Sequence, residues 1–307
     1  MKIAILLFEP SGKIPKEATR LVQVARILGH TAKIFRSEKC QMIYEGNKGA
    51  IFYDNKPFPY YDVLIPKAGI VRDVDLQIAL VKQFQLNGIP VVNRYYAISR
   101  AKNKLRTMQI LNYYKVPIPN TVIVRDLSYV TSAVLKKLHG PPVILKTPFG
   151  SFGKGVAIAE SKRAVISALG FLWKQGGANI ILLQEYVRES KGKDIRIFVI
   201  DNEVVGGMMR LAQKGEFRSN IKLGGDGEKI ELTQKEKDVA IKAAKALKLE
   251  IAGVDIVRGK KGPLVLEVNA NPGFKKLEEV TGIDIARKII EYAVEKAEKM
   301  KHAREEA

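Results

Sequence analysis

The chain has 307 residues, 46% of them hydrophobic, enough to bury a substantial core and to suggest two or three domains or subdomains. A single cysteine, Cys40, excludes an intrachain disulfide and argues against a cysteine-built zinc site, and His30, His139 and His302 stand in no metal-ligand spacing. The formal charge of +20 is concentrated in residues 94–184, where 14 Lys+Arg face 2 Asp+Glu, so an anionic ligand is expected there. Nucleic acid, nucleotide phosphates and an acidic protein tail all answer that description, as does the lysine-rich surface of a thermostable protein. No apolar run is long enough to span a membrane. The opening MKIAILLFEPSG has too short an apolar core for a signal peptide and Glu9-Pro10 in place of a cleavage site, so it reads as a strand and a cytoplasmic location is expected.

In chain order, KIAILLF (2–8) has the unbroken apolar character of a buried parallel strand, and 15–29 follows as an amphipathic helix stopped by Gly29. TAKIFR, YDVLIPKAG and IPVVN continue the strand pattern, with a helix over about 73–87 before the last. This alternation indicates a parallel sheet covered by helices. A first domain of residues 1–93 is expected. A central unit, 94–184, then holds the helix RAKNKLRTMQILNYY, strands at TVIVR, PPVILK and NIILLQEYV, a glycine-rich loop, and helices at about 128–138 and 163–175. The third unit, 185–307, opens with DIRIFVI and EVVGGMMRLA joined by Asp201-Asn202, a hairpin signal. A helix (233–247), a second hairpin and a last helix (284–302) follow, with the tail HAREEA expected to fray. The fold class is thus α/β with α+β character.

The second hairpin, GVDIVRGKKGPLVLEVN (253–269), is the first place where chemistry shows. If paired residues sum to 522, Val254 faces Val268, Ile256 faces Leu266, Arg258 faces Leu264, and Asp255 faces Glu267, with Asn269 two residues on. Opposed carboxylates repel, and a divalent cation would relieve the repulsion. Hard oxygen ligands of this kind suit magnesium, which with few protein carboxylates usually carries substrate phosphates as well. A half-exposed sheet with Glu267 and Asn269 facing solvent is the other reading.

The phosphate side of such a site falls in the basic segment. TPFGSFGKGVAIA (147–159) places Gly150, Gly153 and Gly155 around Ser151 and Lys154, after the strand that ends in Lys146. Glycines let backbone N–H groups approach phosphate oxygens. The run lacks the GK[ST] ending of a P-loop, and a strand follows it, so a plain hairpin turn explains the glycines equally well. Lys146, at the end of the apolar run VIL, would be costly to desolvate unless an anion meets it. Lys104 is its counterpart on the preceding helix.

Six blocks in order, NKLRTMQIL, ILKTPFGSFGKGVAIAE, QEYVRESKGKDIRIFVI, FRSNIKLGG, GVDIVRGKKGPLVLEVNANPG and TGIDIA, resemble the RimK-type ligases of the ATP-grasp superfamily almost from end to end. The resemblance implies an ATP-grasp fold behind a Rossmann-like pre-ATP-grasp domain, and an enzyme joining an amino acid, typically L-glutamate, to a carboxylate through an acyl phosphate. It implies ATP phosphates on Lys104 and Lys146 under the loop of Gly150, Ser151 and Gly153. Adenine would lie at Glu185 and Tyr186, mainly on backbone groups, and the ribose at Asp194. Arg218, Ser219 and Asn220 would line the phosphate-transfer end, and Asp255, Glu267 and Asn269 would hold two magnesium ions, with manganese as an alternative. Lys146 and Arg218 would be the catalytic pair, neutralising charge on the transferred phosphoryl group.

Several acceptors satisfy this reading: the carboxylate of an acidic protein tail, a small carrier protein as in the LysX branch, or a pterin or deazaflavin coenzyme. NANPGF is closer to the RimK branch. A different class is a non-catalytic ATP-binding protein that uses its basic segment on the ribosome or nucleic acid, against which stand the 7% aromatic content and the full set of expected ligands. The resemblance also implies a homo-oligomer, a tetramer or dimer.

Overall fold

The computed structural model describes residues 1–8, 12, 14–67, 74–150, 155–174, 180–190, 192–213, 215–216, 218–219 and 225–306. The chain begins with β1 (Lys2–Leu7), α1 (Lys16–Ile27) and β2 (Thr31–Arg36), then a small meander of β3 (Cys40–Glu45), β4 (Lys48–Tyr53) and β5 (Lys56–Pro57), and closes this part with β6 (Val63–Lys67) and α2 (Val74–Leu86). Strands β2-β1-β6 form the expected parallel sheet. IPVVN does not become a strand: it contributes a single bridge, Val91 to Leu64. The antiparallel β3-β4-β5 sheet was not expected.

Two helices, α3 (Tyr95–Lys102) and α4 (Lys104–Tyr113), stand where one was expected over RAKNKLRTMQILNYY. Asn103 divides them, because its extended backbone cannot continue a helix while its side chain accepts from the N–H groups of Leu105 and Arg106. Lys104 is thereby fixed as the first residue of a capped helix. Next come β7 (Thr121–Val124), α5 (Ser132–Lys137), β8 (Val143–Lys146), β9 (Val156–Ala159), α6 (Lys162–Lys174) and β10 (Ile181–Glu185). They build an antiparallel sheet ordered β7-β10-β8-β9, with a core of Val143, Leu145, Leu183, Leu135, Val165 and Leu169 under the helices.

The remaining elements are β11 (Lys193–Ile200), β12 (Glu203–Leu211), β13 (Asp226–Lys229), α7 (Gln234–Leu247), β14 (Ile251–Gly259), β15 (Gly262–Asn269), α8 (Lys275–Thr281) and α9 (Ile285–Glu305). The last helix runs through the tail expected to fray, capped at its start by Asp284, whose side chain accepts from the Arg287 N–H. The antiparallel sheet β13-β12-β11-β14-β15 organises the site. Side chains on β11 alternate with the period of two that a strand imposes. Ile195, Ile197 and Val199 join Val254, Ile256, Val265 and Val268 against α4 and α7. On the other face, Phe198 and Ile200 enter a core shared with α1, α9 and β1, whereas nearer the strand's start Asp194 lines the cleft and Arg196 is bonded to Asp255. One sheet face is therefore core at one end and polar site at the other. Phe198 and Phe274 are fully buried there, each stabilising the packing by roughly 1.5–3 kcal/mol.

Asn93 locks the first sheet to this one. Its amide donates to the carbonyls of Ile251 (2.7 Å) and Ala270 (2.8 Å), and its oxygen accepts from the N–H groups of Glu250 (2.7 Å) and Ile251 (2.9 Å). All the polar atoms of a 2% exposed side chain are satisfied.

Candidate active site

Between the central sheet and the five-stranded sheet lies a cleft whose free space, open mouth included, is about 870 Å³. Its walls bring together Lys104, Lys146, Gly150, Glu185, Tyr186, Asp194, Arg218, Ser219, Asp255 and Glu267, ten of the residues singled out from sequence. Asn269 stands two residues beyond Glu267 on β15, opposite Gly253. Ser151, Gly153 and Asn220 lie outside the described residues.

The register of β14 and β15 holds at the carboxylates: Asp255 faces Glu267 and Val254 faces Val268. It then shifts by one, so that Ile256 faces Val265 instead of Leu266, and Arg258 faces Pro263 instead of Leu264. The irregularity has a use, because Leu266 joins Val257 and Glu267 in lining the cleft instead of packing under α7.

A cation is not needed to offset Asp255, contrary to the argument from opposed charges. Arg196 and Arg210 supply the counter-charge: Arg196 binds both carboxylate oxygens, its Nη2 at 2.8 Å from Oδ2, and Arg210 Nη2 donates to Oδ2 at 2.8 Å. Arg210 also forks onto Asp194, with Nε to Oδ1 at 2.6 Å and Nη2 to Oδ2 at 2.7 Å, and Ser219 Oγ donates to the same Oδ2. The result is a buried ladder, Ser219–Asp194–Arg210–Asp255–Arg196, across three adjacent strands. Burial alone would raise the Asp255 carboxyl, but Arg196 and Arg210 hold it below the usual carboxylate range. Burial works against the Arg210 charge, and Asp255 and Asp194 more than restore it. Neither arginine was singled out from sequence, because a charge alternating with apolar residues on a strand reads as a solvent-facing residue. Gly253 makes room for the ladder, since a Cβ there would lie 3.1 Å from Arg196 Nη1 and 2.6 Å from Pro272 Cβ.

The lysines converge from the opposite wall. Lys104 Nζ lies 3.5 Å from Glu267 Oε1 and donates to the Gly150 carbonyl at 3.1 Å. Lys146, 8% exposed at the end of β8, makes no ion pair or hydrogen bond through its ammonium among the described residues. Burial pulls its pKa down to about 8, with Glu267 opposing and Lys104 adding to the effect. Lys102, also missed from sequence, is pulled to about 8 by burial, Glu267 again opposing and Lys104 reinforcing. Three lysines around one carboxylate leave a surplus of positive charge.

At the other end of the cleft the Glu185 side chain is committed to the protein, accepting from the Asn120 N–H at 3.2 Å and standing 3.0 Å from His139 Nδ1. Arg218 is paired with Glu216, its Nη2 2.7 Å from Oε2, an interaction that raises the guanidinium pKa. Gly155, just past the loop, has φ +75°, and a Cβ there would strike Thr147 Oγ1 at 2.2 Å, so glycine is required.

As metal donors, the residues offer two carboxylates and an amide, with the Asn269 Nδ2 turned to the Gly253 carbonyl at 3.5 Å. No group of three or more His, Cys, Asp and Glu that could hold an ion occurs among the described residues. That set fits an oxygen-seeking ion that completes its shell with substrate phosphates and water, as magnesium does.

The chain matches the family model of the RimK PreATP-grasp domain over residues 1–98 and that of the RimK-like ATP-grasp domain over 101–293. It is 38% identical over 297 residues to a probable alpha-L-glutamate ligase of Aeromonas salmonicida, covering 97% of both chains. It is 39% identical to a ribosomal protein bS6–L-glutamate ligase of Salmonella schwarzengrund, covering 95% of each. Among solved structures, an ATP-grasp RimK domain protein of Sphaerobacter thermophilus superposes with a TM-score of 0.73 at 19% identity, over 94% of this chain and 99% of that one. The D-alanine–D-alanine ligase of Bacillus anthracis gives 0.65 at 16% identity, over 99% of both. The chain belongs to the RimK family of ATP-grasp ligases, ATP-dependent enzymes of the glutamate-ligase type.

Proposed function

We propose that this ligase activates a carboxylate on an acidic protein tail with ATP and joins it to the amine of L-glutamate. The observation that carries this reading is the buried Lys146, whose ammonium has no ion pair or hydrogen bond among the described residues, facing Glu267 and Asp255 across the cleft. Such a lysine calls for an anion, and Glu267 with Asn269 offers hard oxygen atoms to a cation carried in by that anion. ATP with magnesium supplies both. The name of the Salmonella relative and the basic central segment favour a protein acceptor with an acidic tail, and a cytoplasmic location follows from such an acceptor.

In this reading Lys104 and Lys146 grip the phosphates and Tyr186 and the Glu185 backbone flank the adenine. The Glu185 side chain, already bonded to Asn120, stays out of the contact. Asp194 offers the ribose only what Arg210 and Ser219 leave free on its oxygens. Glu267 and Asn269, with the remaining lone pair of Asp255, would hold magnesium, which when bound would screen the charge of the phosphates. The acceptor carboxylate attacks the terminal phosphorus, ADP leaves, and the resulting acyl phosphate is opened by the glutamate amine with release of phosphate. Oxide is too poor a leaving group for direct amide formation, which is why the phosphoryl step comes first. Lys146 and Arg210 lie where negative charge builds during transfer, and Arg218 reaches the same end once drawn from Glu216. Glu267→Gln tests the assignment: turnover should vanish while the chain still folds, with at most a modest drop in thermal midpoint because Lys104 loses its carboxylate neighbour, and normal turnover would overturn it.

A further inference from the structure

Arg196 is a buried arginine to which the binding of nucleotide gives no task. It stands opposite Asp255 in the register of β11 and β14 and forks onto both carboxylate oxygens. Arg210 helps to form the cleft wall, but Arg196 stands behind Asp255, outside the described lining. Its side chain is 11% exposed and that of Asp255 4%. A Cβ on Gly253 would lie 3.1 Å from Arg196 Nη1, so the β14 backbone closes over the guanidinium. Any effect of Arg196 on the reaction therefore passes through Asp255.

The fork changes what Asp255 can offer a metal ion. With Arg210 Nη2 on Oδ2 as well, three charged N–H groups occupy a carboxylate that has room for about four donors. The neighbourhood reinforces this. Arg196, Arg210, Lys102, Lys104 and Lys146 stand around Asp194, Asp255 and Glu267, five cations to three carboxylates. Lys102 and Lys146, drawn to about 8, still carry their charge at neutral pH. A bare divalent ion entering that field is repelled, whereas a nucleotide polyphosphate outweighs the surplus and carries the ion in with it.

We propose that Arg196 is a positioning residue that guards the metal site: by holding both oxygens of Asp255, it keeps a free divalent cation out until nucleotide is bound. This role rests on the assignment of Asp255, Glu267 and Asn269 to magnesium. Metal and nucleotide are then coupled, each entering weakly alone and tightly with the other, and the coupling is reciprocal. An arginine that served only to hold Asp255 in place would act in the opposite sense, since its loss would leave the metal bound less well.

Manganese in place of magnesium, followed by electron paramagnetic resonance on the full chain with and without saturating ADP, tests this. Once manganese held by free ADP is subtracted, the wild type should bind the ion about a hundredfold more tightly with ADP than without. Arg196→Gln removes the charge and leaves Arg210 on Asp255, so nucleotide-free binding should tighten by about tenfold or more. Adding Glu267→Gln should abolish that gain. Arg196→Lys keeps a charge and should stay close to wild type, with thermal midpoints as the folding control. The wild-type comparison needs no variant and decides even if Arg196→Gln loses stability. A wild-type chain that takes up manganese as tightly without ADP as with it would overturn the proposal and leave the metal assignment standing. So would a folded Arg196→Gln whose nucleotide-free affinity is unchanged or weaker. ADP bound with no manganese beside it in all of these proteins would overturn the metal assignment, and the proposal with it.

Discussion

Replacing Arg210 by methionine removes the side chain that, among the described residues, joins Asp194 to Asp255. The side chain is 5% exposed, and its partners Asp194 and Asp255 are 11% and 4% exposed, so solvent screens these pairs little. In the wild type the two carboxylates and two guanidiniums balance. In the variant Asp255 keeps Arg196, but Asp194 is left with the hydroxyl of Ser219 as its named partner. Breaking a buried pair by removing one member costs about 3–5 kcal/mol, mostly the penalty of the charge left behind. Urea unfolding followed by circular dichroism should therefore show a loss of that size. Adding Asp194→Asn to Arg210→Met removes the stranded charge, so the double variant should be more stable than the sum of the single losses predicts, by about 1–3 kcal/mol. Arg210→Lys should fall between, because an ammonium lacks the planar fork that spans both carboxylates. A single-variant loss below about 1 kcal/mol, or strict additivity in the cycle, would refute the ladder as a coupled unit.

Two further outcomes follow from the site. Lys146 and Lys102, both drawn down to about 8, lose their protons as the pH rises through that value, and the unliganded fold gains stability from there toward 10.5, where the unfolded lysines titrate. ATP needs the charged form, so its binding should take up protons near pH 8 and weaken above it, approaching tenfold per pH unit for one proton. Calorimetry in buffers of different ionisation enthalpy measures the uptake; Lys146→Arg should flatten the profile, and a flat wild-type profile would contradict the assignment. Gly253→Ala should cost about 1–3 kcal/mol, since the new Cβ would lie 2.6 Å from Pro272 Cβ and crowd Arg196; an unchanged thermal midpoint would show that the NANPG turn yields freely.

What could be read from the sequence divides along physical lines. The opposition of Asp255 and Glu267 followed from period-two alternation anchored by Val254 and Val268, and the structure keeps it. The shift at Leu266 was not legible, because Leu264, Val265 and Leu266 are all apolar and alternation cannot choose among them. Lys146 stood out because a lysine ends an apolar run, and its burial agrees. Arg196 and Arg210 did not, since whether a strand arginine meets solvent or a carboxylate depends on the neighbouring strands. The same limit hid Lys102, a helix lysine half-buried by its surroundings. The β3–β5 meander escaped because Lys48, Gly49 and Lys56 blur the strand pattern in short segments. IPVVN carried a strand signal, but tertiary context left it one bridge and spent Asn93 on joining two sheets.

The central claim is that ATP activates the acceptor's carboxylate, which glutamate's amine then captures. An acidic C-terminal peptide labelled with heavy oxygen in its terminal carboxylate, incubated with the chain, ATP, magnesium and L-glutamate, tests it in one experiment read by mass spectrometry. The account predicts that the peptide gains one or more glutamyl residues and that formation of the first bond passes one labelled oxygen from the peptide's terminal carboxylate into inorganic phosphate. A peptide that gains glutamate with no label in the phosphate, or ATP hydrolysed with no gain in peptide mass, would contradict it.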